Sequence, residues 1–272
     1  MVQRWMLFWN LTLAANIISA NVQYGQIEKI KEVAGVQEVI LENRYEPCVV
    51  KQEETADPNM ATSDKMIGSS AAWAAGYTGA GSRIAIIDTG ADVDHPSLDP
   101  DALKYALQGS NATIMTEADL TDEVLNQLNA YTRKAGLTAA DFYVNEKIPF
   151  GFNYVDADTD ITHDNDTQGD HGSHVTGIAA GNRFVKDEAG NYVAALDSVM
   201  TQGVAPDAQI LTMKVFGKGG GAYDSDYMVA IEDAVMLGCD AVNLSLGSGN
   251  AGFTTPDAKY QSILDKLAET DT

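Results

Sequence analysis

An α/β fold, built on a mostly parallel sheet with helices on both faces, is predicted by three observations. The first is the continuous apolar run Arg83-Ile84-Ala85-Ile86-Ile87, whose β-branched content suits a strand covered on both faces. The second is a pair of further runs of that kind, Gln209 to Phe216 and Ala241 to Leu246. The third is the segment between them: from Asp226 to Leu237, Met228, Ile231 and Val235 share one helical face beside Val229, while Glu232 and Asp233 can face water. Strand, helix, strand implies a parallel pair joined by a right-handed crossover, which places the chain in the α/β class. The 272 residues, 45% of them hydrophobic, allow one sizeable core preceded by a short accessory segment.

Taken from the start, an apolar run from Trp5 to Ala20 follows Arg4 and is interrupted by Asn10, Thr12 and Asn16, too short and broken for a membrane-spanning helix. Two readings stay open for it, a secretory leader or part of a small leading domain. Tyr24 to Ala34 patterns as a short helix and Val36 to Leu41 as a strand, together a small α+β unit. From Glu46 to Ser63 the composition turns polar, with Pro47, Lys51, Gln52, Glu53, Glu54, Asp57, Pro58 and Asn59, and reads as an extended linker. The strands and helices of the α/β unit follow.

Charge narrows the partners. Seventeen Lys and Arg stand against 39 Asp and Glu, a formal charge of -22, which repels the phosphates of nucleic acids and anionic lipids. Cys48 and Cys239 lie far apart with no metal-ligand spacing, and Cys239 sits in an apolar stretch as a small buried hydrophobe.

Three segments can carry chemistry. Ile86-Ile87-Asp88-Thr89-Gly90 puts an acid at the carboxyl end of a buried strand, the edge where open α/β sheets bind ligands; the alternative is a helix-capping Asp. His171-Gly172-Ser173-His174-Val175-Thr176-Gly177, continuing through Ala179-Ala180-Gly181-Asn182, presents a histidine at the start of a small-residue helix. With His163, Asp170 and His174 nearby it raises a metal site as a rival, although the glutamate of a zinc-protease helix is missing. Asn243-Leu244-Ser245-Leu246-Gly247, paired with Gly217-Lys218-Gly219-Gly220-Gly221, offers two bare strand edges to which an extended peptide could add itself. The glycine run has no Gly-Lys-Ser/Thr ending and is not a phosphate loop.

In order and context these motifs, with Gly203-Val204-Ala205-Pro206 between them, closely resemble the subtilisin (subtilase) family of serine proteases from about Ala72 onward. The wide gap between Asp88 and His171 and the phrase Ile231-Glu232-Asp233-Ala234-Val235 look most like its cell-envelope branch, similar to lactocepins and C5a peptidases. The resemblance implies a subtilisin-like three-layer fold, incomplete on its C-terminal side. Residues 1–46 would be a remnant of the inhibitory propeptide, 47–65 a linker and 66–272 the front of the peptidase domain. It also implies an extracellular or wall-associated serine endopeptidase acting on extended peptides, with its own propeptide as a partner and no membrane-spanning segment.

By that resemblance Asp88 is the triad carboxylate and His171 the general base. Ser245, Leu246 and Gly247 line the primary specificity pocket and pair with substrate backbone, with Gly219, Gly220 and Gly221 as the opposite edge. The family's nucleophile lies in a Gly-Thr-Ser-Met segment that does not occur in these 272 residues. No Ala-Ala-Gly-Asn segment follows Gly247, where family order puts the oxyanion-hole asparagine. That donor is worth about 3 to 4 kcal/mol of barrier, so the chain alone is expected to be inactive, and a non-catalytic peptide-binding module is the alternative. Catalysis needs no cofactor. Calcium is a possible structural ion: Ser97 replaces an acid after His95-Pro96, and Asp156, Asp158 and Asp160 are weak candidates because Ile161 stands where an EF-hand needs glycine.

Overall fold

The computed structural model describes residues 6–13, 15–47, 60–164, 166–247, 258–270 and 272. Its strands are β1 (Met6–Leu11), β2 (Ile17–Asn21), β3 (Arg44–Pro47), β4 (Arg83–Asp88), β5 (Phe150–Asn153), β6 (Phe184–Lys186), β7 (Tyr192–Ala194), β8 (Gln209–Lys214), β9 (Ala222–Tyr223), β10 (Ala241–Leu244) and β11 (Leu246–Gly247).

The centre is a four-stranded parallel sheet in the order β10-β4-β8-β5. Every residue of β8 is buried, and Ala85, Ile86 and Ile87 of β4 are all 1% exposed or less. Alternation along β4 sends successive side chains to opposite layers. Ile86 packs with Ala180, Ala208 and Ile210 beneath the helix His171–Ala180. Ala85 and Ile87 join Leu211, Met213, Met228, Ile231 and Ala234 beneath the helix Asp224–Met236. Each fully buried Ile or Leu side chain contributes about 1.5 to 3 kcal/mol. The result is the three-layer α/β arrangement that the apolar runs predicted, with Asp88, Lys214 and Asn153 level with one another at the carboxyl edge.

Several expectations need correction. The N-terminal apolar run forms the antiparallel hairpin β1-β2, with Trp9 and Leu11 buried against the main core. The helix expected over Tyr24 to Ala34 contracts to a 3-10 turn at Tyr24–Gln26 and a short α-helix at Ile27–Lys31. Val36 to Leu41 is not a strand; it has no pairing partner there, and Ile40 and Leu41 are exposed. Glu46 and Pro47 belong to β3 rather than to a solvated linker, and a helix spans Met60–Ile67, beginning inside the expected linker and running past its end. The rest of the expected linker, 48–59 with Cys48, lies outside the described residues. The third apolar run breaks at Ser245: β10 ends at Leu244, and Leu246 and Gly247 leave for a second sheet.

Glu232 and Asp233 are the largest surprise, because neither faces water. Glu232 accepts from the Leu13 N–H (2.9 Å). Asp233 accepts from the Asn129 and Ala130 N–H groups (2.7 and 2.9 Å) and from the Tyr154 hydroxyl (2.8 Å). It thereby caps the start of the helix Asn129–Arg133. The supposed outer face of the Asp224–Met236 helix is covered by the N-terminal hairpin and by the long excursion between β4 and β5.

Candidate active site

Asp88 ends β4 and His171 begins a helix, and the turn at Thr89 and Gly90 brings them together. The Thr89 N–H donates to Asp88 Oδ1 (2.7 Å), and the Thr89 hydroxyl oxygen accepts the Gly172 N–H (2.9 Å) from the first turn of the helix. Gly90 has φ 107°, a left-handed region open to glycine, and a Cβ there would strike the Ile161 carbonyl oxygen. A Cβ on Gly172 would in turn strike the Gly90 carbonyl oxygen. Two glycines in backbone contact let the helix start directly against the strand end.

His171 Nδ1 lies 2.8 Å from Asp88 Oδ1. Asp88 is 1% exposed and the imidazole 13% exposed, so the carboxylate is sealed and the ring is reachable. Burial pushes the Asp88 carboxyl up, opposed by the hydrogen bonds from His171 and Thr89. A carboxylate on Nδ1 fixes the tautomer in which Nε2 is free to take a proton, and it stabilises the imidazolium that results.

Sequence reasoning missed what supports this pair. Lys214, level with Asp88 on β8, is buried; its ammonium pairs with the buried Asp166 and donates to the Thr89 carbonyl. One cation thus ties the Asp88-Thr89-Gly90 turn to the loop that leads into His171. A lysine within a strand-like run that also holds Ile210, Leu211 and Met213 was the available signal, since a buried ammonium requires partners.

Beside this pair lies a three-stranded sheet in the order β11-β3-β9. Leu246 and Gly247 pair antiparallel with Pro47 and Glu46, and Tyr223 and Ala222 pair with Arg44 and Tyr45. The two edges expected to take an extended peptide therefore flank the chain's own strand β3. On the second edge the pairing residues are Ala222 and Tyr223; Gly219, Gly220 and Gly221 form the turn leading into them. Gly220 and Gly221 adopt φ 77° and 80°, and the Arg44 guanidinium donates to the Gly220 carbonyl (3.2 Å). Ser245 is not paired; its hydroxyl donates to Asn243 Oδ1 (3.0 Å).

The remaining candidates do not converge. Asp156 Oδ2 accepts from the Lys218 N–H, 62 residues away, and from the Asn153 amide, Asp158 from the Asp160 N–H, and Asp160 from Thr162, so each carboxylate is engaged by its own donors. Among the described residues no group of three or more His, Cys, Asp or Glu side chains is arranged to hold a metal ion. Asn182, at the end of the earlier Ala-Ala-Gly-Asn string, donates its side-chain amide to the Asp99 carbonyl (2.8 Å). It sits at the far end of the ten-residue helix from His171, about 15 Å away along the axis. Cys239 is buried, and burial pushes its thiol up to about 12. No helix among the described residues is long and apolar enough to cross a membrane.

A mostly parallel three-layer α/β fold, with an Asp-His pair at the carboxyl edge of an inner strand, defines a scaffold for acid-base chemistry. Residues 79–270 match the subtilase family, and the chain belongs to that family of subtilisin-like serine peptidases. It is 32% identical over 255 residues to the PI-type proteinase of Lactococcus lactis subsp. cremoris, covering 91% of this chain and 11% of that protein. It is 29% identical over 229 residues to the minor extracellular protease Vpr of Bacillus subtilis, covering 82% of this chain and 21% of Vpr. The C5a peptidase of Streptococcus pyogenes serotype M6 is 29% identical over 182 residues, 66% of this chain and 13% of that protein. The chain thus spans between about a tenth and a fifth of the length of these relatives.

Proposed function

We propose that this chain supplies the acid-base half of a serine endopeptidase. Asp88 orients His171, His171 takes the proton of a serine hydroxyl contributed from beyond these residues, and the same imidazole returns it to the leaving amine. The observation that carries this reading is the 2.8 Å contact between a sealed carboxylate and a reachable imidazole at the carboxyl edge of the sheet. Substrate segments enter as an added strand between β11 and β9, where backbone pairing gives affinity and alternate side chains give selectivity.

In this reading residues 1–46 are the inhibitory propeptide remnant, with its last residues, Arg44 to Glu46, lying along the groove that substrate would use. The protein works outside the cell or at its wall, as the extracellular relative Vpr does by its name. Catalysis needs no cofactor, and calcium serves only as a structural ion.

A second reading, a peptide-binding module without catalysis, draws on the extended segment held between β11 and β9. The Asp88-His171 pair tells against it, since a binder needs neither residue. Casein hydrolysis separates the two. The 272-residue chain is expected to give no turnover, while the polypeptide continued through its reading frame is active and loses about 10⁴-fold in kcat on Asp88→Asn. Turnover by the short chain that His171→Ala abolishes would contradict a nucleophile lying elsewhere; a longer polypeptide indifferent to both substitutions would contradict the roles themselves.

A further inference from the structure

The side chains of β3 alternate. Arg44 and Glu46 are exposed, while Tyr45 between them is 4% exposed. The Tyr45 ring meets the ring of Tyr227 edge to face, with centroids 5.4 Å apart and planes at 90°. At the far end stands Asp224, 2% exposed and the first residue of the helix Asp224–Met236. Its Oδ1 accepts the Tyr45 hydroxyl (2.9 Å) and the Tyr227 hydroxyl (2.9 Å), and its Oδ2 accepts the Asn43 N–H (2.7 Å). The site receiving Tyr45 thus has the Tyr227 ring along one side and a buried carboxylate at its end, and the residue in it meets both features at once.

Resting on the reading that the groove between β11 and β9 receives substrate strands, we infer that Asp224 determines specificity there by selecting segments that place a tyrosine where Tyr45 now sits. A phenylalanine fills the same aromatic space but brings no donor, so the buried carboxylate keeps the Tyr227 hydroxyl and the Asn43 N–H and loses one hydroxyl of its set. A site built to bind a hydroxyl rejects the analogue without one more strongly than an apolar pocket rejects a change of size, because the polar group left behind is desolvated and short of a partner. Hydrogen bonds to charged groups set the discrimination at about tenfold to about a hundredfold. An alanine in that place loses the ring contacts as well.

The test uses the full chain carrying Tyr45→Ala, so that its own strand no longer fills the pocket. The probes are the acetylated, amidated peptide of residues 42–47 (Glu-Asn-Arg-Tyr-Glu-Pro) and its counterparts with phenylalanine or alanine for the tyrosine, with binding followed by titration calorimetry. The tyrosine peptide is expected to bind about tenfold to about a hundredfold more tightly than the phenylalanine peptide, and Asp224→Ala in the same background to bring the two together. Equal binding of both peptides to the chain that keeps Asp224 overturns the inference and leaves the groove as a peptide site. Binding of neither, with β4 and β8 amides still protected from exchange, removes the groove reading and the inference with it. If Tyr45→Ala does not fold, Tyr45→Phe in the whole chain takes its place. Amide exchange over residues 44–46 should then quicken about tenfold or more, and unchanged exchange overturns the inference.

Discussion

Two glycines in one helix show how differently the same residue type is used at the residue scale. Gly172 sits where a Cβ would meet the backbone of Gly90, whereas a Cβ on Gly177 would have nothing within 4 Å. Gly172→Ala is expected to cost about 1 to 3 kcal/mol of stability through overpacking against backbone that cannot give way. Gly177→Ala is expected to be neutral or to add up to about 1 kcal/mol through helix propensity. Urea denaturation of both variants checks this, and equal effects would refute the close approach of helix and strand end. Asp88 and His171 were legible in the sequence because each lies in a compact motif whose neighbours, Thr89-Gly90 and Gly172, serve the local turn. Lys214 and Asp166 were not, because what gives them meaning is a contact between β8 and a loop 48 residues away in sequence.

Tertiary burial decides matters at the scale of elements where local pattern did not. The parallel strands announced themselves as apolar runs because both faces of the sheet are covered. The helix Asp224–Met236 did not announce its second buried face, since Asp224, Asp226, Glu232 and Asp233 look solvated until β1, β3 and the Asn129–Arg133 helix are seen to donate to them. Likewise β3 was hidden in a polar stretch, because a strand held by pairing on both edges needs few apolar residues of its own.

The buried acids make the N-terminal docking pH-dependent. Burial pushes the Asp226 carboxyl up to about 6 and the Asp233 carboxyl up to about 7. Both folded values lie above the ordinary carboxylate value of about 4, so the folded, docked state binds protons more tightly than the unfolded one. The stability from these two groups is therefore full below about pH 4 and is lost as pH rises through about 6 and about 7. Trp9 donates to Asp226 (3.0 Å), so β1 reports on the first of them. Protection of β1 and β2 amides, corrected for intrinsic exchange, is expected to fall between about pH 4 and about pH 7, and Asp226→Asn to flatten the fall. A profile unchanged by the substitution would contradict this assignment.

The whole molecule is an acidic α/β layer structure in which the hairpin β1-β2 packs on the main core and residues 44–47 pair between β11 and β9. Its fold and family follow from sequence motifs spread over most of the chain, while the occupied groove follows only from the path of residues 44–47 between β11 and β9. The central claim is that His171 activates a serine, and covalent labelling tests it most directly. The polypeptide continued through its reading frame is treated with a fluorophosphonate probe, and the modified residue is located by mass spectrometry, for the unaltered protein and for His171→Ala. The account predicts one labelled serine, in a Gly-Thr-Ser-Met segment beyond Thr272, whose labelling is lost in His171→Ala. Labelling that survives His171→Ala, or casein hydrolysis with no labelled serine at all, would contradict it.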